Sequence, residues 1–210
     1  MRTPSLALTE PELRGLSVNA KVQSFPRNAV VVSEGDQTQS VFIIRSGRVK
    51  VYLRNEEGRE VVLNVHGPGE YFGEMALDES PRSASVVTLE PSKLIVVPKR
   101  DFKAFLSVNP EFAAKLIDRL MQRVRDLTGS VRSLALLDVY GRVARLLLEL
   151  AVEKDGKLII PERLTQKDIA QRVGASREMI SRIFKELVAG GYLEVSGQRI
   201  TLRRELPSRR

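Results

Sequence analysis

The sequence contains no cysteine and no tryptophan, and His66 is its only histidine. Without thiolates the chain cannot form a disulfide, a thiolate zinc site or a cysteine-ligated iron–sulfur cluster. His66 stands directly before Gly67, a context that favours a turn or strand-end residue over a metal ligand. A haem held by this one histidine is disfavoured because no partner ligand is recognisable. We therefore expect no metal and no prosthetic group.

Long apolar runs are also missing. No stretch of about 18 apolar residues occurs, so no transmembrane helix is expected. Residues 1–16 lack the sustained apolar region of a secretion signal, which makes a cytoplasmic location the default expectation. The sequence also shows no Ser/His/Asp set, no cysteine nucleophile, no phosphate-binding P-loop and no metal cluster, so we expect no enzyme. With 210 residues, of which 42% are hydrophobic, the chain can build one large or two small domains.

The segment 164–187, LTQKDIAQRVGASREMISRIFKEL, is typical of a helix-turn-helix motif. Thr165 and Ser176 stand where a hydroxyl can cap each of the two helices. Gly174 follows the first helix, where a left-handed backbone costs glycine least. Small and apolar side chains fall where two crossing helices must bury a shared face: Ile169, Ala170, Val173, Ile180 and Ile183.

The predicted second helix has a polar and charged outer face. In helices of this kind the N-terminal side chains reach base edges in the major groove, where arginine pairs with guanine and glutamate accepts from cytosine N4. The alternative is a solvated face stabilised by an ion pair between Glu178 and Arg182. The number of matched positions favours DNA binding, with these candidate residues: Ser176, Arg177, Glu178, Ser181, Arg182 and Lys185.

The C-terminal third of the chain supports this interpretation. The β-prone runs 192–195 and 199–202 flank residues 196–198, SGQ, which predicts a hairpin that forms a wing. Residues 139–210 carry 15 Lys/Arg against 9 Asp/Glu, which accounts for most of the chain's net charge of +8. The positive charge is thus concentrated where a polyanion would bind.

The front half, from residue 22 to 98, consists of short β-branched runs separated by glycine-containing turns. Regular short strands with turn signals indicate a barrel or sandwich rather than a parallel α/β sheet. The predicted strands cover residues 29–33, 40–44, 48–53, 60–65, 84–89 and 93–97.

Two segments, residues 71–77 and 82–85, interrupt this strand pattern. Backbone N–H groups near a short helix start, a hydroxyl such as Ser83 and the guanidinium of Arg82 can together bind a phosphate. The carboxylate of Glu74 can accept a hydrogen bond from a ribose hydroxyl. The alternative is a Glu74–Arg82 ion pair that closes the loop, and these residues by themselves favour that alternative.

A long helix is predicted from Pro110 to about Leu137. Its apolar residues are spaced alternately by four and three, which is the heptad pattern of a coiled coil and favours a parallel homodimer. The alternative is a helix that lies against its own core. Phe112, Leu116 and Met121 lie off this seam and are expected to pack on the β-domain. Asp138 is the predicted N-cap of a following helix, 139–152. The seam consists of Ala113, Ile117, Leu120, Val124, Leu127, Val131 and Leu134.

In this order of elements the chain resembles the CRP/FNR family of bacterial transcription factors, and within it the cyclic-AMP receptor branch. The resemblance spans about residues 25–202 and rests on residues 72–74, 82–84, 134–151 and 176–185. It implies an α+β fold with three parts. These are a cyclic-nucleotide-binding β-roll, a jelly-roll-like barrel, over residues 1–109, a dimerisation helix over 110–137, and a winged helix-turn-helix DNA-binding domain over 138–210.

The resemblance also implies an effector site. Glu74 would bind the ribose 2′-hydroxyl of cyclic AMP, and Arg82 and Ser83 would bind its phosphate. A Thr–Ser pair that contacts adenine in the receptor is replaced here by Leu127 and Thr128, and one hydroxyl is lost. The effector is therefore open between cyclic AMP, which is favoured, and another cyclic mono- or dinucleotide such as cyclic di-GMP. The implied effector residues are Gly73, Glu74, Arg82, Ser83, Ala84, Leu127 and Thr128.

For the DNA-binding domain, the resemblance implies that Arg177, Glu178 and Arg182 read a GTGA-type half-site, so that a homodimer binds a palindrome like TGTGA-N6-TCACA. Thr165 and Ser176 match phosphate-contacting positions. Residues 153–161 match a shortened form of a loop that contacts RNA polymerase, which is the further expected partner. The function implied is allosteric control of transcription by a cyclic nucleotide. A constitutive regulator is the alternative, and a nucleotide-binding enzyme subunit ranks last.

Overall fold

The computed structural model describes residues 15–16, 20–37, 39–78, 80–197 and 199–206. The chain divides into two compact units, one reaching to Asn55 and continuing over Val62–Val124, the other formed by Glu56–Val61 and the residues from Arg125 onward. None of the helices in the described ranges combines the length and the apolar composition that a bilayer crossing needs.

The β-structure of the front half consists of two four-stranded sheets, with strand orders β1-β8-β3-β6 and β2-β7-β4-β5. Strand β3 is buried on both faces, because Val41 and Ile43 enter one apolar cluster while Phe42 and Ile44 enter another. The strands are β1 (Lys21–Phe25), β2 (Val30–Val32), β3 (Ser40–Ser46), β4 (Val49–Arg54), β5 (Glu60–His66), β6 (Tyr71–Phe72), β7 (Ser85–Thr88) and β8 (Ser92–Pro98).

All six predicted strands of this half are confirmed, with ends that differ by at most two residues. His66 is the last residue of β5, as its sequence context indicated. The sequence did not indicate β1, whose first four residues are exposed and whose composition is mostly polar. It also did not indicate β6, which has only two residues, both buried. Periodicity is a weak signal for an exposed edge strand and for a strand this short.

Two helices follow the last strand of this half, α1 (Lys99–Val108) and α2 (Pro110–Leu136). Phe112 and Leu116 are buried and pack with Tyr71 and Phe102, as predicted. The prediction for Met121 is wrong, since 45% of this residue is exposed. Met121 lies five residues beyond Leu116, and at 100° per residue this spacing turns it away from the packed face.

The heptad seam of α2 is solvent-exposed in the single chain. The alternative of a helix that buries the seam against its own core is therefore not supported. The exposed fractions are 58% at Ile117, 37% at Leu120, 62% at Val124, 43% at Leu127, 65% at Val131 and 53% at Leu134.

In the second unit, Asp138 caps α3 (Val139–Leu150), and its Oδ1 accepts a hydrogen bond of 2.8 Å from the Gly141 N–H. The cap is confirmed, but the helix ends two residues earlier than predicted. Its predicted end coincides with the start of a strand, β9 (Val152–Lys154), which pairs with β10 (Lys157–Ile160).

The turn between β9 and β10 is formed by Asp155 and Gly156, both with positive φ, at 53° and 69°. This is the backbone that a two-residue hairpin turn requires, and Asp-Gly between apolar runs was a usable signal for it. The segment 153–161, expected as a loop, is therefore mostly hairpin. The predicted wing is confirmed as β11 (Leu193–Ser196) and β12 (Arg199–Leu202), which extend this hairpin into a sheet of order β11-β12-β10-β9.

Gly47 provides a test of this fold. It lies between β3 and β4 with φ +87°, and a Cβ there would stand 2.7 Å from the Cα of buried Ser92. Gly35 has a similar φ of +85°, but among the described residues no atom lies within 4 Å of the position that its Cβ would take. Gly35→Ala should cost about 1–2 kcal/mol through the left-handed backbone alone. Gly47→Ala should cost about 1–3 kcal/mol more, because the backbone of Ser92 must also move.

The measurement is urea unfolding of the full chain, followed by circular dichroism for the two variants and the wild type. Equal losses of unfolding free energy in Gly47→Ala and Gly35→Ala would contradict the close approach of Gly47 to Ser92.

Candidate functional site

A pocket opens in the first unit beside a 3-10 helix, Glu74–Asp78. It contains about 470 Å³ of empty space, part of it open to solvent. Five of the predicted effector residues line it together: Gly73, Glu74, Arg82, Ser83 and Ala84. The remaining lining residues are Val32, Val51, Phe72, Met75, Pro81, Val86 and Arg123.

Arg82 is the buried cation of this pocket, with only 7% of the residue exposed. Its Nη1 donates to the carbonyl of Gly73 at 2.8 Å, and its Nη2 donates to the carbonyl of Ser40 at 2.5 Å. Burial lowers the pKa of Arg82, while the carboxylates of Glu74 and Asp36 oppose that shift. The loop is thus held by hydrogen bonds from Arg82 to backbone carbonyls, with the negative charge of Glu74 nearby.

Gly73 makes this position of Arg82 possible. Its φ is +88°, and a Cβ on it would stand 2.7 Å from Nη1 of Arg82. Any larger residue would strain the backbone and displace the guanidinium. Glycine at residue 73 thus relieves the backbone strain of this turn and leaves room for the guanidinium of Arg82 in its present position.

The other predicted pocket residues offer complementary chemistry. Glu74 begins the 3-10 helix and is 8% exposed, so its carboxylate is a buried acceptor at the pocket wall. Ser83 is exposed, and its hydroxyl donates to the sulfur of Met75 at 3.6 Å. A cation, a hydroxyl and a carboxylate around apolar side chains suit a ligand with a phosphate, a sugar and a base.

Arg123 is a pocket residue that sequence reasoning did not identify. It lies seven residues after the buried Leu116, and this spacing puts both on one face of α2, so helical periodicity could have revealed it. Leu127 and Thr128 follow on α2 in the second unit, and their part in an effector site stays a prediction. Within the described ranges, no three His, Cys, Asp or Glu side chains are grouped as a metal site requires.

The second unit contains the helix-turn-helix as α4 (Gln166–Val173) and α5 (Arg177–Ala189). Thr165 and Ser176 cap these helices, and Gly174 has the left-handed φ of 64°, so all three predictions are confirmed. The five residues predicted to lie at the helix crossing are buried, and Phe184 and Leu187 join them in the core of this unit.

The polar face of α5 is available to a ligand. Ser181 is half-buried, while Arg177, Glu178, Arg182 and Lys185 are exposed. In the described part of the chain Glu178 and Arg182 form no ion pair, which removes the main support for a merely solvated face. These five residues line one groove together with Gln166.

Glu178 is held in its ionised form at the start of α5. Hydrogen bonds from its own backbone N–H and from Ser176, with the charge of Arg177, lower the pKa of Glu178 below its usual value. An ionised carboxylate is acceptor-only, which is what contact with a cytosine amino group requires.

The hydroxyls of Thr165 and Ser176 make hydrogen bonds within the protein, at the starts of α4 and α5. Thr165 Oγ1 donates to Asp168 Oδ2 at 2.6 Å and accepts from the Asp168 N–H at 3.2 Å. Ser176 Oγ accepts from the Met179 N–H at 3.2 Å. Both residues are thus helix caps, and their predicted phosphate contacts remain predictions.

Two family models match the chain on either side of α2. The model described as cyclic nucleotide-binding domain matches residues 22–109. The model described as Crp-like helix-turn-helix domain matches residues 141–205. The pocket residues 73–84 fall within the first match and the groove residues 166–185 within the second.

Individual proteins match most of the chain. A CRP-like cAMP-activated global transcriptional regulator of Mycobacterium tuberculosis is 33% identical over 183 residues, covering 85% of this chain and 82% of the relative. The cAMP-activated global transcriptional regulator CRP of Salmonella typhimurium is 29% identical, covering 92% of this chain and 95% of the relative. Among solved structures, the c-di-GMP responsive global regulator CLP of Xanthomonas campestris matches with a TM-score of 0.78 and 26% identity, covering 90% of this chain and 97% of that chain.

These relatives are transcription regulators, and they match both domains in one chain. The protein thus belongs to the CRP/FNR family and is a transcription regulator rather than an enzyme, built from a cyclic nucleotide-binding domain and a DNA-binding Crp-like helix-turn-helix domain.

Proposed function

We propose that this chain is a homodimeric regulator whose binding to a TGTGA-N6-TCACA-like palindrome is controlled allosterically by cyclic AMP. The observation that supports DNA reading most strongly is the exposed row of Arg177, Glu178 and Arg182 at the capped start of α5. The pocket around Arg82 supports the control by a nucleotide.

The DNA-reading residues follow from the geometry of α5. Arg177, Ser181 and Lys185 are spaced by four residues, and Glu178 and Arg182 lie beside them, so all five share one face. Arg177 and Arg182 each offer a planar fork of donors for guanine O6 and N7, and the Glu178 carboxylate offers an acceptor for cytosine N4. We assign Ser181 and Lys185 to supporting contacts, and Thr165 and Ser176 to the phosphates beside the two helix starts.

The dimer is proposed from the seam of α2. Six large apolar side chains are exposed along it at heptad spacing, and an apolar stripe of this length on a single chain marks an interaction surface. Heptad spacing suits a second copy of the same helix in parallel. In such a dimer a two-fold axis relates the two recognition helices. A palindromic DNA site requires this symmetry, because its two half-sites lie about one turn of the DNA helix apart.

The effector is proposed from the pocket. Arg82 and Ser83 would bind the phosphate and Glu74 the ribose 2′-hydroxyl, with the backbone of Gly73 and Ala84 beside them. Arg123 adds a second guanidinium to the lining, which favours an anionic ligand. We assign Leu127 and Thr128 to the base, where Thr128 retains a hydroxyl.

Cyclic di-GMP is the second candidate effector. The Xanthomonas campestris relative is described as responsive to this dinucleotide and is 26% identical over 90% of this chain. Leu127 lacks the hydroxyl with which the cyclic-AMP receptor contacts adenine. Both observations favour testing mono- and dinucleotides side by side.

RNA polymerase is the further proposed partner. The hairpin β9–β10 occupies the segment that resembles a polymerase-contacting loop, and its residues 152–158 are exposed. A short exposed hairpin can dock on a partner without disturbing the core of its own domain.

The dimer predicts the behaviour of Leu120→Glu. This substitution puts an unpaired carboxylate at the middle of the seam, where burial is costly, so the variant should be monomeric. Val108→Glu, at an exposed apolar residue outside the seam, is the control and should remain dimeric. Sedimentation equilibrium at micromolar concentration is the measurement, and a monomeric wild type would refute the proposed dimer.

The effector site predicts the behaviour of Arg82→Leu. The variant should bind cyclic AMP more weakly by about 2–3 kcal/mol, the scale of hydrogen bonds to charged groups. Since Arg82 also holds the loop through Gly73 and Ser40, Ser83→Ala tests the phosphate contact without that complication, with Ser107→Ala as its matched exposed-serine control.

Calorimetry with cyclic AMP, cyclic GMP and cyclic di-GMP measures these affinities. A wild type that binds none of the three below about millimolar concentration would favour a constitutive regulator.

The DNA-reading face predicts the behaviour of Arg177→Ala. Losing one bidentate contact should cost about 1–3 kcal/mol and relax the preference at one base pair of each half-site. Arg100→Ala is the matched control, because it removes the same charge from an arginine whose side chain is 92% exposed in the other unit. The readout is selection of random DNA by each protein with effector present. An unrelated consensus for the wild type, or an unchanged one for Arg177→Ala, would refute the assignment.

A further inference from the structure

A buried polar cluster lies on the inner face of α2, away from the seam. The only histidine, His66 at the end of β5, is 2% exposed. Its Nδ1 stands 3.4 Å from Nη2 of Arg119 and 3.6 Å from Oε2 of Glu70. The Arg119 guanidinium also donates from Nη2 to the carbonyl of Tyr71 at 3.3 Å, and its Cζ lies 4.2 Å from the centroid of the Tyr71 ring.

Arg119 thus attaches α2 to the β-structure by a set of contacts of different kinds. Besides His66 and Tyr71, it faces Glu70, whose Oε1 is 3.6 Å from Nη2. Glu70 in turn accepts a 2.7 Å hydrogen bond from the Gly67 N–H, which fixes the loop between β5 and β6. A shift of Arg119 would therefore change how α2 lies against this loop.

The same helix face leads to the effector pocket. Arg123 follows Arg119 by four residues, so the two side chains lie one above the other on α2, and Arg123 lines the pocket. Because one turn of an α-helix is stiff, the contacts that orient α2 at Arg119 also orient the backbone of α2 at Arg123. Both residues belong to the first unit.

His66 makes these contacts sensitive to protons. An unprotonated Nδ1 can accept from Nη2 of Arg119, whereas a protonated Nδ1 is a donor and can only turn to the Glu70 carboxylate. An imidazolium also repels the guanidinium beside it. A proton therefore competes with Arg119 for Nδ1 of His66. The imidazolium that results also competes with Arg119 for the Glu70 carboxylate.

We propose that Arg119 is a positioning residue for the effector pocket, and that protonation of His66 releases it and weakens nucleotide binding. This inference rests on the proposed function, since it assigns a control to the same pocket. Among the described residues, the charged groups that contact His66 are Glu70, from the β5–β6 loop, and Arg119, from α2.

The cluster of His66, Glu70 and Arg119 contributes little to the stability of the fold. Among the described residues, Nε2 of His66 and Nη1 of Arg119 are buried without a hydrogen-bond partner. A partly satisfied buried network contributes less than apolar packing of the same volume. Burial alone would raise the pKa of Glu70, but hydrogen bonds from His66 and the Gly67 N–H, with the charges of His66 and Arg119, hold it below its usual value. Glu70 is therefore an anion ready to pair with a protonated His66.

Nucleotide affinity should fall on acidification. Above the titration midpoint of His66 the imidazole is neutral, Arg119 is held, and nucleotide affinity is highest. As the pH falls through that midpoint, affinity should fall by at least about five-fold, the lower end of allosteric coupling. The phosphodiester of a cyclic nucleotide keeps its charge throughout the pH range of the measurement, so a fall in affinity reports on the protein.

The first test needs no nucleotide. Because His66 is the only histidine, its ring signals in an NMR titration of the full chain are unambiguous. Arg119→Met removes the competing guanidinium and should raise the titration midpoint of His66, and Glu70→Gln should lower it. Arg100→Met, which removes the same charge from an arginine of α1 whose side chain is 92% exposed, should leave the midpoint unchanged. A midpoint that Arg119→Met does not move would overturn the proposal.

The second test connects the cluster to the pocket. Cyclic AMP affinity is measured by calorimetry from pH 5.5 to 8.5 for the wild type, His66→Asn and His66→Gln. The wild-type affinity should fall on acidification, whereas both variants should show a flat profile. By linkage, cyclic AMP should lower the His66 midpoint in the wild type, since binding and proton release are reciprocal.

The results of the two tests distinguish a failure of the His66 switch from a failure of the proposed function. Binding by the wild type with a pH profile that both His66 variants share would overturn the role of the cluster and leave the proposed function intact. The absence of cyclic AMP binding at every pH would refute cyclic AMP control itself, and with it the link from Arg119 to the pocket. Arg119→Lys keeps the charge and should recover part of the affinity that Arg119→Met loses, and no recovery would contradict a positioning role.

Discussion

Phe112 of α2 packs against aromatic side chains of β6 and α1, and the orientation of α2 in the first unit depends on this contact. The Phe112 ring lies 6.1 Å from Tyr71, 6.2 Å from Phe102 and 5.3 Å from Phe105, measured between centroids. Together with Leu116 it fixes which face of α2 looks inward. Arg119 and Arg123 follow on that face, so this apolar contact also determines where Arg119 meets His66 and where Arg123 lines the pocket.

The same contact determines what α2 leaves outside. Because one face of α2 packs inside the first unit, the heptad seam on another face is not buried by its own chain and stays exposed. The helix therefore has two surfaces, an inner one that carries Arg123 to the pocket and an apolar outer one that is exposed. In the proposed dimer, a shift of the inner face would also move the outer face, and nucleotide binding would in this way change the dimer's geometry.

The helix-turn-helix was the part most fully predictable from sequence, because its determinants are local. Hydroxyl caps, a left-handed glycine and apolar residues at helical spacing are each decided within a few positions. The strands with β-branched runs were predictable for a similar reason. The edge strand β1 and the two-residue strand β6 were not predictable in this way. The dipeptide Asp155–Gly156 did signal a hairpin turn, but the segment was interpreted as a loop because of its family resemblance.

The candidate site was predictable only where its residues are close in sequence. Gly73 and Glu74 and the run from Arg82 to Ala84 come together as expected, since one loop brings them to one pocket wall. Arg123 was missed although its seven-residue spacing from Leu116 signalled it, whereas the contacts of Arg119 depend on residues of the β5–β6 loop that are distant in sequence. His66 was expected at a strand end, where it lies, but its burial beside Glu70 and Arg119 depends on the docking of a helix more than fifty residues away.

In the proposed function, the nucleotide, the dimer and the palindrome form one complex. Native mass spectrometry of the full chain, mixed with a TGTGA-N6-TCACA duplex with and without cyclic AMP, tests this directly by counting the components of the complex. We expect two protein chains and bound nucleotide on each duplex, with this complex depleted when nucleotide is omitted. A complex with one chain per duplex, or one equally abundant without nucleotide, would contradict it.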